Sequence, residues 1–303
     1  MNKKSFLQIM VLWLIAFSSM GGGTLTAGQK KAVDLVVFSF DRPMQLFAFL
    51  ESCDKHVTGL NEMHLIYRSS NESYEQGYQT VFRHFPQLHT HQQSANPEKD
   101  FKPLVLKTAF SKKSSAPYIM FGVDDIVVKS DIDLCVCVNA LEESKAWGFF
   151  LRMGKNISYC TMRQLITPVP QGKKIANHIF LWKFRNGKGD WNYPNSVDMT
   201  IYRKKDISDL LHRLEYTTPN KLECHWFHRH HHTSSGICFR ESKIVNIPLN
   251  QVNPSRNFSL HAYQPAELLT KFQQGLKIDI KQYETIRHNT PHVDQLPTFI
   301  PMK

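Results

Sequence analysis

The chain lacks the features that mark several protein classes. Its 303 residues hold six cysteines, and no two of them form a CxxC pair, so a structural zinc module has no support. No HExxH segment occurs, which removes a zinc hydrolase of the helical type. Beyond the first thirty residues, no run is apolar for long enough to cross a bilayer. There is no internal repeat, and the only biased tract is a short histidine-rich one near 225–232. The net charge of +11 comes without a recognised nucleic-acid motif, and nucleic acid is not an expected partner.

What remains is globular. Hydrophobic residues at 42% and charged residues at 21% suit a sizeable core. Lysine and arginine read as scattered along the whole chain, a balance that suits nucleotide phosphates or anionic surfaces.

The first thirty residues are a separate object. Lys3 and Lys4 precede an apolar run from Phe6 to Phe17, and small residues lead on to Ala27. This order reads as a signal peptide, with an uncleaved membrane anchor as the alternative. Both imply export or membrane attachment through the N-terminus. An oxidising compartment permits disulfides, although most of the cysteines read as small buried residues. Cys135 and Cys137 read as neighbours on one face of a strand, too strained to bond to each other. The expected organisation is a leader (1–30), an α/β domain (31–285) and an extended tail (286–303).

Val33 to Phe40 (VDLVVFSF) is a strand buried on both faces by its apolar run. Met44 to Cys53 has helical spacing, Met63 to Tyr67 is a second strand, and Tyr74 to Phe85 is a second helix. This alternation predicts a parallel sheet with right-handed crossovers. His89 to Asp100 reads as a loop, Phe101 to Phe110 as a helix and Tyr118 to Phe121 as a buried strand ending at Asp124-Asp125. Ligands of such sheets bind beyond the carboxyl ends of the strands, where both Asp41-Arg42 and Asp124-Asp125 fall. Later elements are a helix over Asp206 to Leu214, a strand over Ile244 to Leu249 and a helix over Ala266 to Gly275.

The stretch LVVFSFDRPMQLFAFL, Leu35 to Leu50, resembles the opening strand and helix of the family 2 and related GT-A glycosyltransferases. Phe101 to Val128 resembles the segment that leads into their metal motif, in the same order along the chain. The resemblance implies a GT-A-like α/β fold: a mostly parallel central sheet flanked by helices, with an irregular C-terminal acceptor region. It also implies transfer of a sugar from a nucleotide-sugar donor to a glycan, lipid or protein acceptor. Ser39, Asp41, Arg42 and Asp124 would then contact the donor, and Asp125 would touch a Mn²⁺ or Mg²⁺ ion. A hard cation on carboxylate oxygens neutralises a departing diphosphate, which is the chemistry such a reaction needs. Two positions depart from the family. Val123 stands where a D-x-D motif has its first acid, and Tyr67-Arg68-Ser69-Ser70 replaces a short acidic motif that helps hold the uracil. Those departures keep a second reading open: an exported carbohydrate-binding or interaction protein on a degenerate transferase scaffold.

The acceptor side falls later in the chain. Trp191 to Asp198 joins aromatic faces to a carboxylate, a composition suited to sugar rings. Asp198 and Glu223 are the candidate general bases for an acceptor hydroxyl. His225, His228, His230, His231 and His232 form the histidine cluster. GT-A enzymes often supply a late histidine to the metal, and His228 is the candidate, a solvated loop being the alternative. Asn-x-Ser sequons stand at Asn71, Asn156 and Asn257.

Overall fold

The computed structural model describes residues 31–302 apart from 177, 230–233 and 253–257. The leader, His230 to His232 and the Asn257 sequon therefore lie outside the described residues. Nine strands build the central sheet: β1 (Val33–Phe40), β2 (Leu60–Arg68), β3 (His89–Gln92), β4 (Tyr118–Val123), β5 (Gly148–Phe150), β6 (Gly172–Ala176), β7 (Ile179–Lys183), β8 (Thr200–Arg203) and β9 (Ser235–Phe239). Their order is β6-β7-β9-β5-β8-β4-β1-β2-β3. Strands β3, β2, β1 and β4 are all parallel neighbours. Strand β8 then runs antiparallel between β4 and β5, β9 is parallel to β5, and β7 and β6 close the sheet as antiparallel strands.

The buried run of β1 serves both faces of this sheet. Leu35 and Val37 point into one core with α1 (Pro43–His56), α2 (Glu72–His84), α4 (Leu134–Ser144) and α7 (Pro265–Gln273). Val36 and Phe38 point into the other with α3 (Pro97–Ala109), α5 (Lys204–Arg213) and α6 (Pro219–Phe227). Alternate side chains of a strand leave opposite faces, so an unbroken apolar run needs helices on both sides. The one acid within that run is fully buried, and it is satisfied. Asp34 accepts from Asn61 at 2.8 Å, Ser114 at 2.5 Å and the Lys204 ammonium at 2.6 Å. A third core of Phe150, Phe180, Trp182 and Trp191 lies under the antiparallel end.

Two expectations change. The segment His89 to Asp100 is not all loop: His89 to Gln92 adds to the parallel edge as β3, and α3 begins at Pro97. Polar side chains do not prevent a short edge strand, because only its backbone has to pair. Cys135 and Cys137 sit on helix α4, not on a strand. The Asp133 side chain caps that helix by accepting from the Cys135 amide at 2.8 Å. All six cysteines are free; four are buried, Cys135 is intermediate and Cys224 is exposed.

The described sequon asparagines are both bonded. The Asn71 side-chain oxygen caps α2 by accepting from the Tyr74 amide at 3.2 Å. The Asn156 side-chain nitrogen donates to Ser242 Oγ and to the His288 carbonyl, each at 3.2 Å. The tail is extended and returns as Phe299–Pro301, antiparallel to Leu276–Ile278. No helix among the described residues is long and apolar enough to cross a membrane.

Gly77 is where α2 meets the start of α1. A Cβ placed there would lie 2.8 Å from Pro43 Cγ and 3.0 Å from Leu269 Cδ1. Gly77→Leu is therefore expected to overpack this contact and cost about 1–3 kcal/mol, read as a lower urea midpoint.

Candidate functional site

Two polar clusters form where the parallel strands end. In the first, the turn from β1 to α1 places Asp41 in a left-handed backbone conformation (φ 51°). Aspartate is among the few non-glycine residues that tolerate it. Pro43 then starts the helix at a position where a missing N–H costs nothing. The sharp corner aims Arg42 back across the sheet end. Its Nη1 donates to Asp124 Oδ1 at 3.0 Å and to Asp125 Oδ2 at 3.4 Å. Its Nε donates to Asn250 Oδ1 at 2.9 Å, and Nη2 donates to the Asn250 carbonyl. Asp124 also accepts from Ser39 Oγ at 2.8 Å and from the Phe40 amide at 3.3 Å. Behind it, Tyr78 hydrogen-bonds Ser39 at 2.7 Å.

Asp124 is buried, whereas Asp125 keeps an accessible carboxylate edge. The two occupy a tight turn, since Ile126–Val128 folds back to pair with Ile244–Asn246. Burial pushes the Asp124 carboxyl up to about 6, with Arg42 opposing the rise and Asp125 adding to it. Burial alone would loosen the Arg42 proton, but Asp124 and Asp125 outweigh it and raise its pKa. Asp41 points away from this knot and accepts from the Ser70 amide at 2.8 Å. Burial raises its carboxyl too. Ser39, Arg42, Asp124 and Asp125 thus share one network, and Asp41 joins it through the backbone turn while its side chain holds the β2 end.

The second cluster grows from β8. Ile201 lies opposite Met120 in the antiparallel β4–β8 ladder, so Asp198 enters at the end where β4 gives way to Asp124. Met199 makes the corner with φ 48° and donates its amide to the Phe121 carbonyl at 2.7 Å. A long side chain held in that region is strained backbone. Asp198 accepts from Arg152 at 2.7 Å, and Arg152 also pairs with Asp190. Glu223, on α6, accepts from the Val197 amide at 3.0 Å. Burial, and then the Asp198 charge, push the Glu223 carboxyl up to about 7 against the pull of Arg152. The Tyr193 ring stacks on Phe227 at 4.8 Å, with the Arg152 guanidinium 5.6 Å away.

Three expectations for this half need revision or detail. Trp191 cannot meet a sugar face: it is fully buried and donates its indole N–H to the Ile157 carbonyl at 3.0 Å. The partly exposed aromatic of that segment is Tyr193. His228 caps the end of α6, exposed, with Phe227 edge-on at 5.4 Å, and His225 bonds the Glu215 carbonyl at 2.5 Å. Among the described residues, no three His, Cys, Asp or Glu side chains are grouped to hold a metal, so neither Asp125 nor His228 belongs to such a group. The donor chemistry beside Asp125 still suits a hard cation that brings its own phosphate ligands. Asn246 donates to Asp125 at 3.4 Å while its own buried amide oxygen has no partner.

Arg152, Tyr78 and Asn250 were missed in the sequence. Arg152 lies just past β5, and nothing local in the sequence marks it as the partner of acids 38 and 46 positions away.

The raised Asp124 pKa has a consequence for stability. The folded protein retains a proton that the unfolded chain releases near its ordinary value of 3.8. The stabilisation is full below that pH and disappears as pH rises through about 6. Asp124→Asn is expected to flatten the pH dependence of the urea midpoint across this window.

No family model matches the chain. It is 30% identical over 200 residues to the bifunctional glycosyltransferase pgtA of Dictyostelium discoideum, a match covering 60% of this chain and 25% of that protein. The chain thus corresponds to about a quarter of that relative's length. The structure of S. aureus TarS 1-349 in complex with UDP-GlcNAc superposes with a TM-score of 0.46 at 14% identity, covering 75% of this chain and 61% of that one. The 4-diphosphocytidyl-2C-methyl-D-erythritol synthase of Anaerococcus prevotii DSM 20548 gives 0.39 at 10% identity, covering 72% and 91%. At such scores the fold is read from the strand order above, not from the superpositions. By that topology and by the pgtA match, the chain is similar to GT-A type glycosyltransferases, with an α/β fold built on one large central sheet flanked by helices.

Proposed function

We propose that the chain is a glycosyltransferase that moves a sugar from a nucleotide donor onto an acceptor hydroxyl. The observation that carries this reading is the pairing of two unlike acidic clusters at one end of the β4–β8 ladder. One, Asp124-Asp125 with Arg42, suits the donor; the other, Glu223 with Asp198 and Arg152, suits the acceptor. Asp125 would hold a Mg²⁺ or Mn²⁺ ion together with donor phosphates, with His228 as the second candidate ligand. When bound, the ion supplies positive charge against the leaving diphosphate.

Glu223 is the better base of the two candidates. Asp198 is committed to an ion pair with Arg152, whereas the Glu223 carboxyl is tuned close to neutrality. A base near the working pH balances its deprotonated fraction against its proton affinity. Glu223 would take the acceptor hydroxyl proton as that oxygen attacks the anomeric carbon. The sugar–phosphate bond breaks at the same time and its electron pair leaves on the diphosphate. A base in this role implies inversion at the anomeric carbon. Asp198 and Arg152 would position Glu223, and Tyr193 offers the acceptor an aromatic face.

Donor hydrolysis and transfer with a panel of uridine and guanosine sugars, with and without Mn²⁺, test the reading. Asp125→Ala is expected to lower metal-dependent turnover by about 100-fold or more, within the range of lost transition-state electrostatics; unchanged turnover would remove Asp125 from the site. If no nucleotide sugar binds while glycans do, the protein is a carbohydrate-binding module on a transferase fold.

For wild type, kcat/KM is expected to rise with pH through about 7 and level off above it, as ionisation of Glu223 requires. Glu223→Gln is expected to lower it by about 100-fold or more and abolish that limb. A limb that survives in the variant would assign the base elsewhere.

A further inference from the structure

The positive charge is not evenly spread, contrary to the reading from the sequence. Between Glu143 and Asp190 there are nine lysines and arginines and no acidic residue, against a net charge of +11 for the whole chain. Of the nine, Arg152 is buried between Asp190 and Asp198, and Lys145 faces Glu142 at 3.8 Å. The remaining seven are exposed, and none of them forms an ion pair among the described residues. Unpaired charge of one sign over a continuous segment produces a field that reaches beyond the surface.

This segment builds the antiparallel flank of the sheet, where β6 sends Lys173 and Lys174 to opposite faces and makes the sheet edge itself basic. Lys174 stands opposite Phe180 in the β6–β7 ladder, so both leave the same face, and the Lys155 ammonium lies 5.3 Å from the Phe180 ring centre. The hairpin formed by Tyr159–Cys160 and Leu165–Ile166 precedes β6 in the same basic segment. A Cβ on Gly189 would lie 2.9 Å from the Cys160 Cβ and 2.7 Å from Thr167 Cγ2, so hairpin and turn are in tight contact. Asp190, the next residue, pairs with Arg152. The hairpin carries Arg163 together with Ile166, at 75% the most exposed large apolar side chain among the described residues, and with Met162 at 48%.

We infer that this flank docks on an anionic membrane surface, with Met162 and Ile166 entering the headgroup layer and the lysines and arginines facing acidic lipids. Basic residues near a bilayer add attraction, and aliphatic side chains beside them add insertion. A nucleic acid fits less well, since Phe180, Trp182, Phe184 and Trp191 of this region are buried in the third core and unable to stack on bases. Docked in this way, the protein would hold the Arg152 cluster beside the lipid surface. Binding is measured without donor or acceptor, so its outcome is separate from that of the transferase reading.

The test is flotation of the full chain with vesicles of phosphatidylcholine alone or of phosphatidylcholine mixed with phosphatidylserine. Every variant keeps the N-terminal segment, so differences between variants report on the flank. Wild type should bind the mixed vesicles more tightly and release as salt rises. Lys173→Glu with Lys174→Glu, and separately Lys183→Glu with Arg185→Glu, should each weaken that binding about tenfold or more. Met162→Ser with Ile166→Ser should weaken it in high salt as well as low. All substituted positions are exposed, and an unchanged thermal melt confirms folding. Equal binding to both vesicle types, or full retention by the charge variants, would overturn the inference. So would binding to heparin with no binding to vesicles, which would make the flank a site for soluble polyanions.

Discussion

The grip of Arg42 on Asp124, Asp125 and Asn250 ties together three parts of the chain that are far apart in sequence. It joins the end of β1, the turn after β4 and the segment after Ile244–Asn246. Two neighbouring carboxylates, one of them buried, repel each other and are costly to hold without a counter-charge. One guanidinium offsets part of that repulsion and leaves the acidic turn with residual negative charge. Under the proposed function, this residual charge is what a bound cation would meet. It also explains why Asp124 is raised while Arg42 is held firmly charged.

Much of the parallel half was legible in the sequence, for a physical reason. Strands β1 and β4 are apolar on both faces because helices cover both, and such runs stand out in any window. The charged pairs at their ends, Asp41-Arg42 and Asp124-Asp125, were visible because charge follows directly on buried hydrophobic residues. The antiparallel half was harder to read. Strand β5 is short, and β5 and β7 pair with β8 and β9 from far along the chain, while the edge strand β6 pairs only with β7. Strand β3 was hidden because an edge strand can be polar throughout. Trp191 reads as a sugar platform by composition, yet its indole faces a core that only tertiary structure creates.

The candidate acceptor cluster shows the same limit. Asp198 and Glu223 were named from residue type, but their difference in role arises from Arg152, which no local motif announces. Asp198 is neutralised by an ion pair, while Glu223 is left beside a carboxylate in a desolvated position. Burial beside that carboxylate raises the proton affinity of Glu223, and a group tuned in this way is what acid–base chemistry uses. The Met199 corner matters here because it sets where the Asp198 backbone leaves the sheet.

The two described sequon asparagines differ in which atom they have committed. Asn71 spends its oxygen on the α2 cap, and the amide nitrogen that an oligosaccharide would occupy is not needed for that cap. Asn156 spends its nitrogen on Ser242 and the His288 carbonyl. A carbohydrate linked to Asn71 therefore leaves the helix terminus intact, whereas one linked to Asn156 competes with the bonds that fasten the chain near residue 288 to the loop after β9. In a glycosylating compartment the first acceptor is compatible with the finished fold, and the second only with a chain that has not yet closed.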